Sequence, residues 1–427
     1  MMEKLTLQPI HRFDGELRLP GSKSLSNRIL LLSALARGET MVHNLLDSED
    51  VRVMDQALRQ LGVGVAGSLQ HQALKITGCG GPLPGGTHRL FLGNAGTVMR
   101  PLTAVLAAGQ GDYLLEGVHR MHQRPIGDLV GALRDLGGSI TCLENEGFPP
   151  LRIQAAGLRG GEVHISGTTS SQFITALLTA APLAGGDVTL RLTSKLVSEP
   201  YVTMTTRLMA RYGVRVESRP GTLYRVEAGQ RYHSPGDMLV EGDASSASYF
   251  LAGAAITGGT VRVTGVGRQS LQGDARFAAV LERMGARVLW EDSSITVTGG
   301  GFLRGVDADL VDMPDAAMTL AVAALFAQGP TTIRGIANWR VKETDRMAAM
   351  AAELTKLGAG VHTGQDHLTV TPPNKPVSAE IKTYDDHRMA MAFSLAACGG
   401  VPITILDPRC VAKTFPDYFD RLAELTS

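Results

Sequence analysis

Two helical patterns alternate along the chain. One is rich in Ala, Leu, Met, Thr and Ser and is apolar on nearly every face; it occurs at SNRILLLSALARG, GTVMRPLTAVLAAG, SSQFITALLTAAPLAG, SSASYFLAGAAITG, DAAMTLAVAALFAQG and HRMAMAFSLAACG. A helix with no polar face is buried among other elements. The other pattern is amphipathic and ends in an aliphatic or aromatic residue followed by Gly, at DQALRQLG, GALRDLG, TRLMARYG, AVLERMG and AAELTKLG. Such a helix covers a surface, and the closing glycine suits a helix C-cap. Strand-like runs follow the glycines of both kinds.

The two patterns keep a common period. The glycines closing the apolar helices, Gly38, Gly109, Gly185, Gly258, Gly329 and Gly399, are 71, 76, 73, 71 and 70 residues apart. Those closing the amphipathic helices, Gly62, Gly137, Gly213, Gly285 and Gly358, are 75, 76, 72 and 73 apart. Six copies of a unit of about 70 residues follow, each predicted as β-α-β-α-β-β. FDRLAEL stands in the second-helix place of the sixth copy. In the first copy the second helix is predicted over Glu49 to Leu61, and the closing strands are VGVAG and ALKITG. A chain of 427 residues exceeds one ordinary core, so two lobes of three copies each are expected, with apolar helices inside and sheets around them. The turn-rich run AGQRYHSPGDMLVEG, from Gly229 to Gly242, marks the boundary. Residues 1–20 precede the first copy and read as two short strands, LTLQP and GELRLP.

The repeat sets six helix starts in equivalent places. They hold Lys23-Ser24 with Arg28, Asn94 to Thr97 with Arg100, Thr169-Ser170-Ser171-Gln172, Asp243 to Ser246, Pro314 to Ala317, and Asp385 to Arg388. Ser, Thr, Asp and Asn are ordinary N-caps, which accounts for Asp243 and Ser245, and leaves Ser22 or Ser24 as a plain cap with Lys23 in solvent. Lys and Arg are different, because the positive end of the helix dipole disfavours them. Their presence points to a bound anion. Leu19 to Arg28 is not a P-loop, since Ser22 stands where Gly must precede the lysine.

Two further segments concentrate charge. Arg120 to Gly127 carries two arginines before a helix, suited to carboxylate or phosphate, or simply a solvated basic turn. Asn338 to Arg346 holds five charges, readable also as a helix face with a Glu343–Arg346 pair at i,i+3. With Lys413, the candidate cations are Lys23, Arg28, Arg124, Lys342, Arg346, Arg388 and Lys413. Asp315 and Glu343 are the carboxylates for proton transfer; cationic neighbours would hold both ionised until a bound anion raises a pKa.

Composition narrows the class of function. Formal net charge is zero, against nucleic acid or anionic membrane as the main partner. The stretch Met389 to Leu406 is uncharged over a length that would suit a membrane span, but Ser394, Gly399-Gly400 and Pro402 divide it into helix, turn and strand. Cys79, Cys142, Cys398 and Cys410 are scattered and fit a reducing compartment, with Cys398 read as core. No signal-like apolar run opens the sequence, so a cytoplasmic location is expected. No Cys/His cluster suggests a metal, and no strand-linked Gly-x-Gly-x-x-Gly suggests a nucleotide cofactor. A GxSxG elbow is absent too, against nucleophilic catalysis.

The segments LPGSKSLSNR, LFLGNAGTVMRPL, RPIGDLV, TSSQFITALL, VSEPY, EGDASSASYFLA, PDAAMT, NWRVKETDR, DDHRMAMAFSL and AKTFPDYF, in this order, closely resemble the 3-phosphoshikimate 1-carboxyvinyltransferase (EPSP synthase) family of enolpyruvyl transferases. The resemblance covers essentially the whole chain. It implies a two-lobed inside-out α/β barrel, with residues 1–20 and 240–427 in one lobe and 21–239 in the other. It implies transfer of the enolpyruvyl group of phosphoenolpyruvate to the 5-hydroxyl of shikimate 3-phosphate in aromatic amino-acid biosynthesis, without cofactor or metal; separately from the resemblance, a monomer is expected. By position, Lys23, Ser24, Arg28, Ser170, Ser171, Gln172, Ser198, Tyr201, Asp315, Asn338 and Lys342 would hold shikimate 3-phosphate. Lys23, Asn94, Gly96, Arg124, Gln172, Arg346, Arg388 and Lys413 would hold phosphoenolpyruvate. Asp315 would be the base for the 5-hydroxyl and Glu343 the acid that protonates the methylene carbon, with Lys23 touching both anions. Gly96 and Pro101 are the family's forms associated with glyphosate sensitivity, so inhibition by glyphosate is expected.

Departures are few. Val118-His119 precedes Arg120 where the family often has acidic or small residues and Pro, Glu199 replaces a frequent Lys, and Thr203 a common Asp. Two other readings compete. The sister enzyme that acts on UDP-N-acetylglucosamine carries Lys-Asn where this chain has Lys23-Ser24, and usually a Cys in the loop occupied here by His119 to Arg124. A non-catalytic phosphate-binding repeat protein would keep the scaffold but would have no need of Asp315 and Glu343.

Overall fold

In a computed structural model, which describes residues 3–427, twelve α-helices alternate between two environments. They are α1 (Lys23–Leu35), α2 (Glu49–Gln60), α3 (Gly96–Ala107), α4 (Gly127–Asp135), α5 (Ser171–Ala180), α6 (Glu199–Arg211), α7 (Ala244–Thr257), α8 (Phe277–Arg283), α9 (Ala317–Ala323), α10 (Arg346–Lys356), α11 (His387–Ser394) and α12 (Tyr418–Leu425). The odd-numbered helices are the apolar ones. In α7 every residue from Ala244 to Ala255 is buried, and α9 is buried along its whole length. The even-numbered helices bury one face; in α2 that face is Asp50, Val51, Met54, Ala57 and Leu58. Each of the five glycines predicted as C-caps has a left-handed backbone, as at Gly62 (φ 82°) and Gly285 (φ 114°), which a residue with a Cβ adopts only at a cost.

One strand order recurs around the inner helices. A first strand pairs parallel with the strand that follows the inner helix, and that strand pairs antiparallel with the second arm of a closing hairpin. Thr87–Phe91, Gln110–Glu116, Leu151–Ala156 and Ile140–Cys142 are one example, and Gly161–Ile165, Val188–Leu192, Leu223–Val226 and Glu217–Arg219 another. The β-α-β-α-β-β order predicted from periodicity is therefore the observed one.

Three sheets borrow a strand from far along the chain. Asp237–Leu239, at the end of the third copy, pairs parallel with Arg37–His43 and so provides the first strand of the first copy. Gly15–Arg18 pairs parallel with Thr260–Thr264 and does the same for the fourth. Lys4–Leu7 pairs antiparallel with Ile403–Leu406 and completes the sixth sheet, which lacks a closing hairpin of its own.

The chain forms two compact units, Met1–Pro20 with Glu241–Ser427, and Gly21–Val240. In the first, α9 packs against both α7 and α11, and Phe250, Leu320 and Phe393 of these helices are fully buried. In the second, α3 packs against both α1 and α5. Every polypeptide passage between the units is at Pro20-Gly21 or Val240-Glu241. Among the described residues no helix is long and apolar enough to cross a membrane.

Candidate active site

Within Gly21–Val240, most of the candidate side chains stand at the N-terminal ends of α1, α3 and α5. Lys23 is the first residue of α1, not a solvated lysine beyond its cap: its side chain is buried, and Nζ lies 3.3 Å from Asp50 Oδ2 of α2. Ser22 occupies the N-cap position, and its hydroxyl makes no cap bond. Thr97 Oγ1 donates to the same Asp50 oxygen (3.2 Å) and accepts from Asn27 Nδ2 (2.8 Å). A buried acid thus joins the starts of α1 and α3. Arg28, one turn into α1, donates to the Ser24 carbonyl (2.9 Å) and to Thr205 Oγ1 (2.8 Å), with Tyr201 5.8 Å from its guanidinium. Burial lowers its pKa to about 10, against the raising effect of Tyr201. A guanidinium enclosed in this way favours an anion beside it.

Around the start of α3, Arg124 donates from Nη1 to the Asn94 carbonyl (2.8 Å) and to its side-chain oxygen (3.0 Å). Arg100 donates to Gln172 Oε1 (3.1 Å) and to the Pro125 carbonyl (3.2 Å), and lies over the Phe173 ring. Gly96 is pressed against both arginines; a Cβ there would overlap Arg100 Nη1 and stand 2.8 Å from Arg124 Nη2. Ser170 caps α5 by accepting the Gln172 N–H at 3.2 Å, and Ser171 follows it as the buried first helical residue. Ser198, the N-cap of α6, is buried in a left-handed conformation (φ 55°). An enclosed cavity of about 20 Å³, lined by Asn27, Arg28, Thr97, Pro101, Gln172 and Thr205 among others, lies at the same level; such a space holds one water.

In the other unit the cluster centres on Asp315, just before α9. Its Oδ1 is 2.8 Å from Arg346 Nη1 and 3.6 Å from Lys342 Nζ, and Oδ2 is 3.0 Å from Arg388 Nη2. Burial pushes this carboxyl upward, but Arg388, Lys342 and Arg346 outweigh it and hold the group well below the usual carboxylate range. Glu343 Oε2 lies 3.0 Å from Arg346 Nη2. That contact is the predicted i,i+3 pair, although Glu343 precedes the helix, which begins at Arg346 behind the Asp345 N-cap. Asp386, fully buried, caps α11 through the Arg388 N–H (3.0 Å) and accepts from Arg346 at both oxygens, 2.7 and 3.2 Å. Arg388 also donates to Tyr249 Oη at 3.2 Å, and burial raises that phenol to about 12. Trp339 Nε1 donates to the Pro314 carbonyl (2.8 Å), tying the turn that carries Asn338 to the segment before Asp315. Asn338 is buried with its Oδ1 unbonded. Lys413 is buried in the turn Pro408–Lys413, which packs on α11.

Two carboxylates set among cations can move protons, and cations concentrated at helix starts can hold anionic ligands. Asp315, Lys342, Glu343, Arg346 and Arg388 are brought into one network, whereas Asn338 and Lys413 stand on neighbouring turns. Ser245 lies inside the first turn of α7 instead of capping it, Asp243 being the cap. Asp50 and Arg100 join the cluster within Gly21–Val240, and Asp386 and Tyr249 the one around Asp315; none of the four was assigned a role from sequence. An acid at the start of an amphipathic helix is favourable on dipole grounds alone, so Asp50 carried no signal of its own. Among the described residues no group of His, Cys, Asp and Glu could hold a metal, and all four cysteines are free, with Cys398 only partly buried.

Residues 7–422 match the family EPSP synthase (3-phosphoshikimate 1-carboxyvinyltransferase). Curated relatives named 3-phosphoshikimate 1-carboxyvinyltransferase, from Escherichia coli and Shigella boydii, are 58% identical over 426 residues, covering 100% of this chain and 99% of theirs. A solved EPSP synthase from Acinetobacter baumannii superposes with a TM-score of 0.83 at 28% identity, over 99% of this chain and 98% of that one. The enolpyruvyl transferase NikO from Streptomyces tendae shares the fold, with a TM-score of 0.80 at 20% identity over 100% of this chain and 98% of that one.

Proposed function

The chain belongs to the EPSP synthase family, and from that premise we propose how its residues divide the work of transferring the enolpyruvyl group of phosphoenolpyruvate to the 5-hydroxyl of shikimate 3-phosphate. Lys23, Ser24, Arg28, Ser170, Ser171, Gln172, Ser198 and Tyr201, with Asp315, Asn338 and Lys342, hold shikimate 3-phosphate. Lys23, Asn94, Gly96, Arg124, Gln172, Arg346, Arg388 and Lys413 hold phosphoenolpyruvate. The observation that carries the reading is Asp315, ionised by the cations around it and within 4 Å of Arg346, Arg388 and Lys342.

Chemically the roles follow from charge. Asp315 takes the proton of the 5-hydroxyl as that oxygen bonds to C2 of phosphoenolpyruvate, and Glu343 delivers a proton to C3. Elimination then breaks the C2–O bond to phosphate and removes a proton from the new methyl group, restoring the double bond. Cations hold together two anions that repel each other and stabilise charge fixed before reaction. The negative charge of bound ligands offsets those cations and raises the carboxyl pKa values toward the range useful for proton transfer.

Phosphate release is measured with phosphoenolpyruvate plus either shikimate 3-phosphate or UDP-N-acetylglucosamine. Turnover with shikimate 3-phosphate alone is expected; turnover with the sugar nucleotide, or with neither acceptor, refutes the assignment. The same reading makes the chain a cytoplasmic monomer inhibited by glyphosate at the phosphoenolpyruvate subsite. Activity that persists under a large excess of glyphosate over phosphoenolpyruvate refutes that last point.

A further inference from the structure

Helix α10 fastens the segment Glu380–Asp386 along its length. At its first residue, Arg346 grips Asp386 through the two bonds described above. Seven residues on, and so on the same face, Glu353 is fully buried. Its Oε1 accepts the Tyr384 hydroxyl at 2.7 Å, and its Oε2 accepts the Lys382 N–H at 3.1 Å and Lys356 Nζ at 2.6 Å. Lys356 also donates to the Glu380 carbonyl at 3.1 Å. The neighbouring α10 residues Met350 and Leu354 are fully buried as well, so this face accepts apolar side chains, and a carboxylate there is costly unless it is satisfied.

What Glu353 holds is a strained backbone. Tyr384 and Asp385 are consecutive non-glycine residues in the left-handed region, at φ 54° and 55°, a conformation in which Cβ crowds the carbonyl oxygen. Strained pairs persist only where surrounding structure enforces them. Packing of the ring does not suffice, since Tyr384 is 39% exposed; its hydroxyl is the part turned inward. Immediately after the strained pair, Asp386 closes the turn with its N–H on the Thr383 carbonyl (2.9 Å), caps α11 and meets Arg346.

We infer that Glu353 is a positioning residue for phosphoenolpyruvate: through the Tyr384 hydroxyl it fixes the left-handed turn Tyr384-Asp385, and with it the placement of Asp386, Arg346 and Arg388. This rests on the reading of Arg346 and Arg388 as phosphoenolpyruvate residues. Glu353 itself touches no substrate.

Tyr384→Phe in the full chain removes the hydroxyl while leaving Glu353 bonded to Lys356 and Lys382. Steady-state phosphate release, varying each substrate with the other saturating, is expected to show KM for phosphoenolpyruvate raised roughly five- to tenfold, with KM for shikimate 3-phosphate changed by less than about twofold. Glu353→Ala should show a larger effect of the same kind, and Glu353→Gln, which keeps an acceptor oxygen for the phenol, a smaller one. An unchanged phosphoenolpyruvate KM in Tyr384→Phe overturns the inference. Equal rises for both substrates, or a fall in kcat alone, also overturn it, because the clamp then acts on the unit as a whole or on another step. If the unaltered chain does not turn over, the functional reading has failed and this inference falls with it; an active unaltered chain with an indifferent Tyr384→Phe isolates the failure here.

Discussion

Lys23→Ala is predicted to abolish turnover and to lower stability, for reasons that can be separated. Lys23 and Asp50 are 7% and 1% exposed and lie 3.3 Å apart. Removing one partner of a buried ion pair costs about 3–5 kcal/mol, because the other charge is left in a poorly solvated place. Asp50 keeps the Thr97 hydroxyl, which favours the lower end, about 3 kcal/mol. For a unit of this size each kcal/mol moves Tm by about 2–4 °C, so the variant should melt roughly 6–12 °C lower. Asp50→Asn placed on top of Lys23→Ala removes the buried negative charge while keeping an acceptor for Thr97, and should restore most of the Tm. It should not restore turnover, since a cation aimed at developing negative charge is worth about 10²–10³ in rate. Calorimetry and phosphate release on the two single variants and the double variant complete the cycle. A single Lys23→Ala variant that melts within about 2 °C of the unaltered chain refutes the stability argument, and recovery of turnover in the double variant refutes a chemical role for Lys23.

Other perturbations follow from the same geometry. Gly96→Ala places a methyl group against Arg100 Nη1 and 2.8 Å from Arg124 Nη2; KM for phosphoenolpyruvate should rise about tenfold or more with little change for shikimate 3-phosphate, and equal KM values show that the arginines yield freely. Asp315, held below the usual carboxylate range by Arg388, Lys342 and Arg346 despite burial, contributes stability that is present above its unfolded pKa of about 4 and is lost as pH falls below it toward the folded value. Asp315→Asn should therefore flatten the acid side of the stability profile and lower kcat by about 10²–10⁴; an unaltered acid transition contradicts the depressed pKa. Gly21→Ala would drive a Cβ into the Asn44 carbonyl, which is backbone and cannot swing away, at a cost of about 3 kcal/mol or more; an unshifted thermal transition contradicts that close approach.

The parts of this molecule that were legible in its sequence are those written in local periodicity. Helices with no polar side, glycines spaced at one period and hairpins of alternating residues need no knowledge of partners, and they gave the repeat and its strand order. The three borrowed strands were not legible in that way: Asp237–Leu239 alternates as well beside one parallel partner as beside another, and pairing with Arg37–His43 is decided by where the chain passes between units. A similar division runs through the candidate site. Cations at helix starts are conspicuous because the dipole disfavours them, so Lys23 and Arg388 drew attention as anion ligands. Asp50 and Asp386, two further acids that hold such cations, were hidden by the same rule. Asp386 is an ordinary N-cap by position and does cap α11, yet its second function is a two-point bond to Arg346 forty residues earlier. Glu353 reads as a polar residue on an amphipathic helix until the turn it holds is seen. A residue that satisfies a local rule leaves no trace in the pattern when it also serves a distant partner, which is why the groups proposed to touch ligands were easier to pick out than the groups that hold them in place.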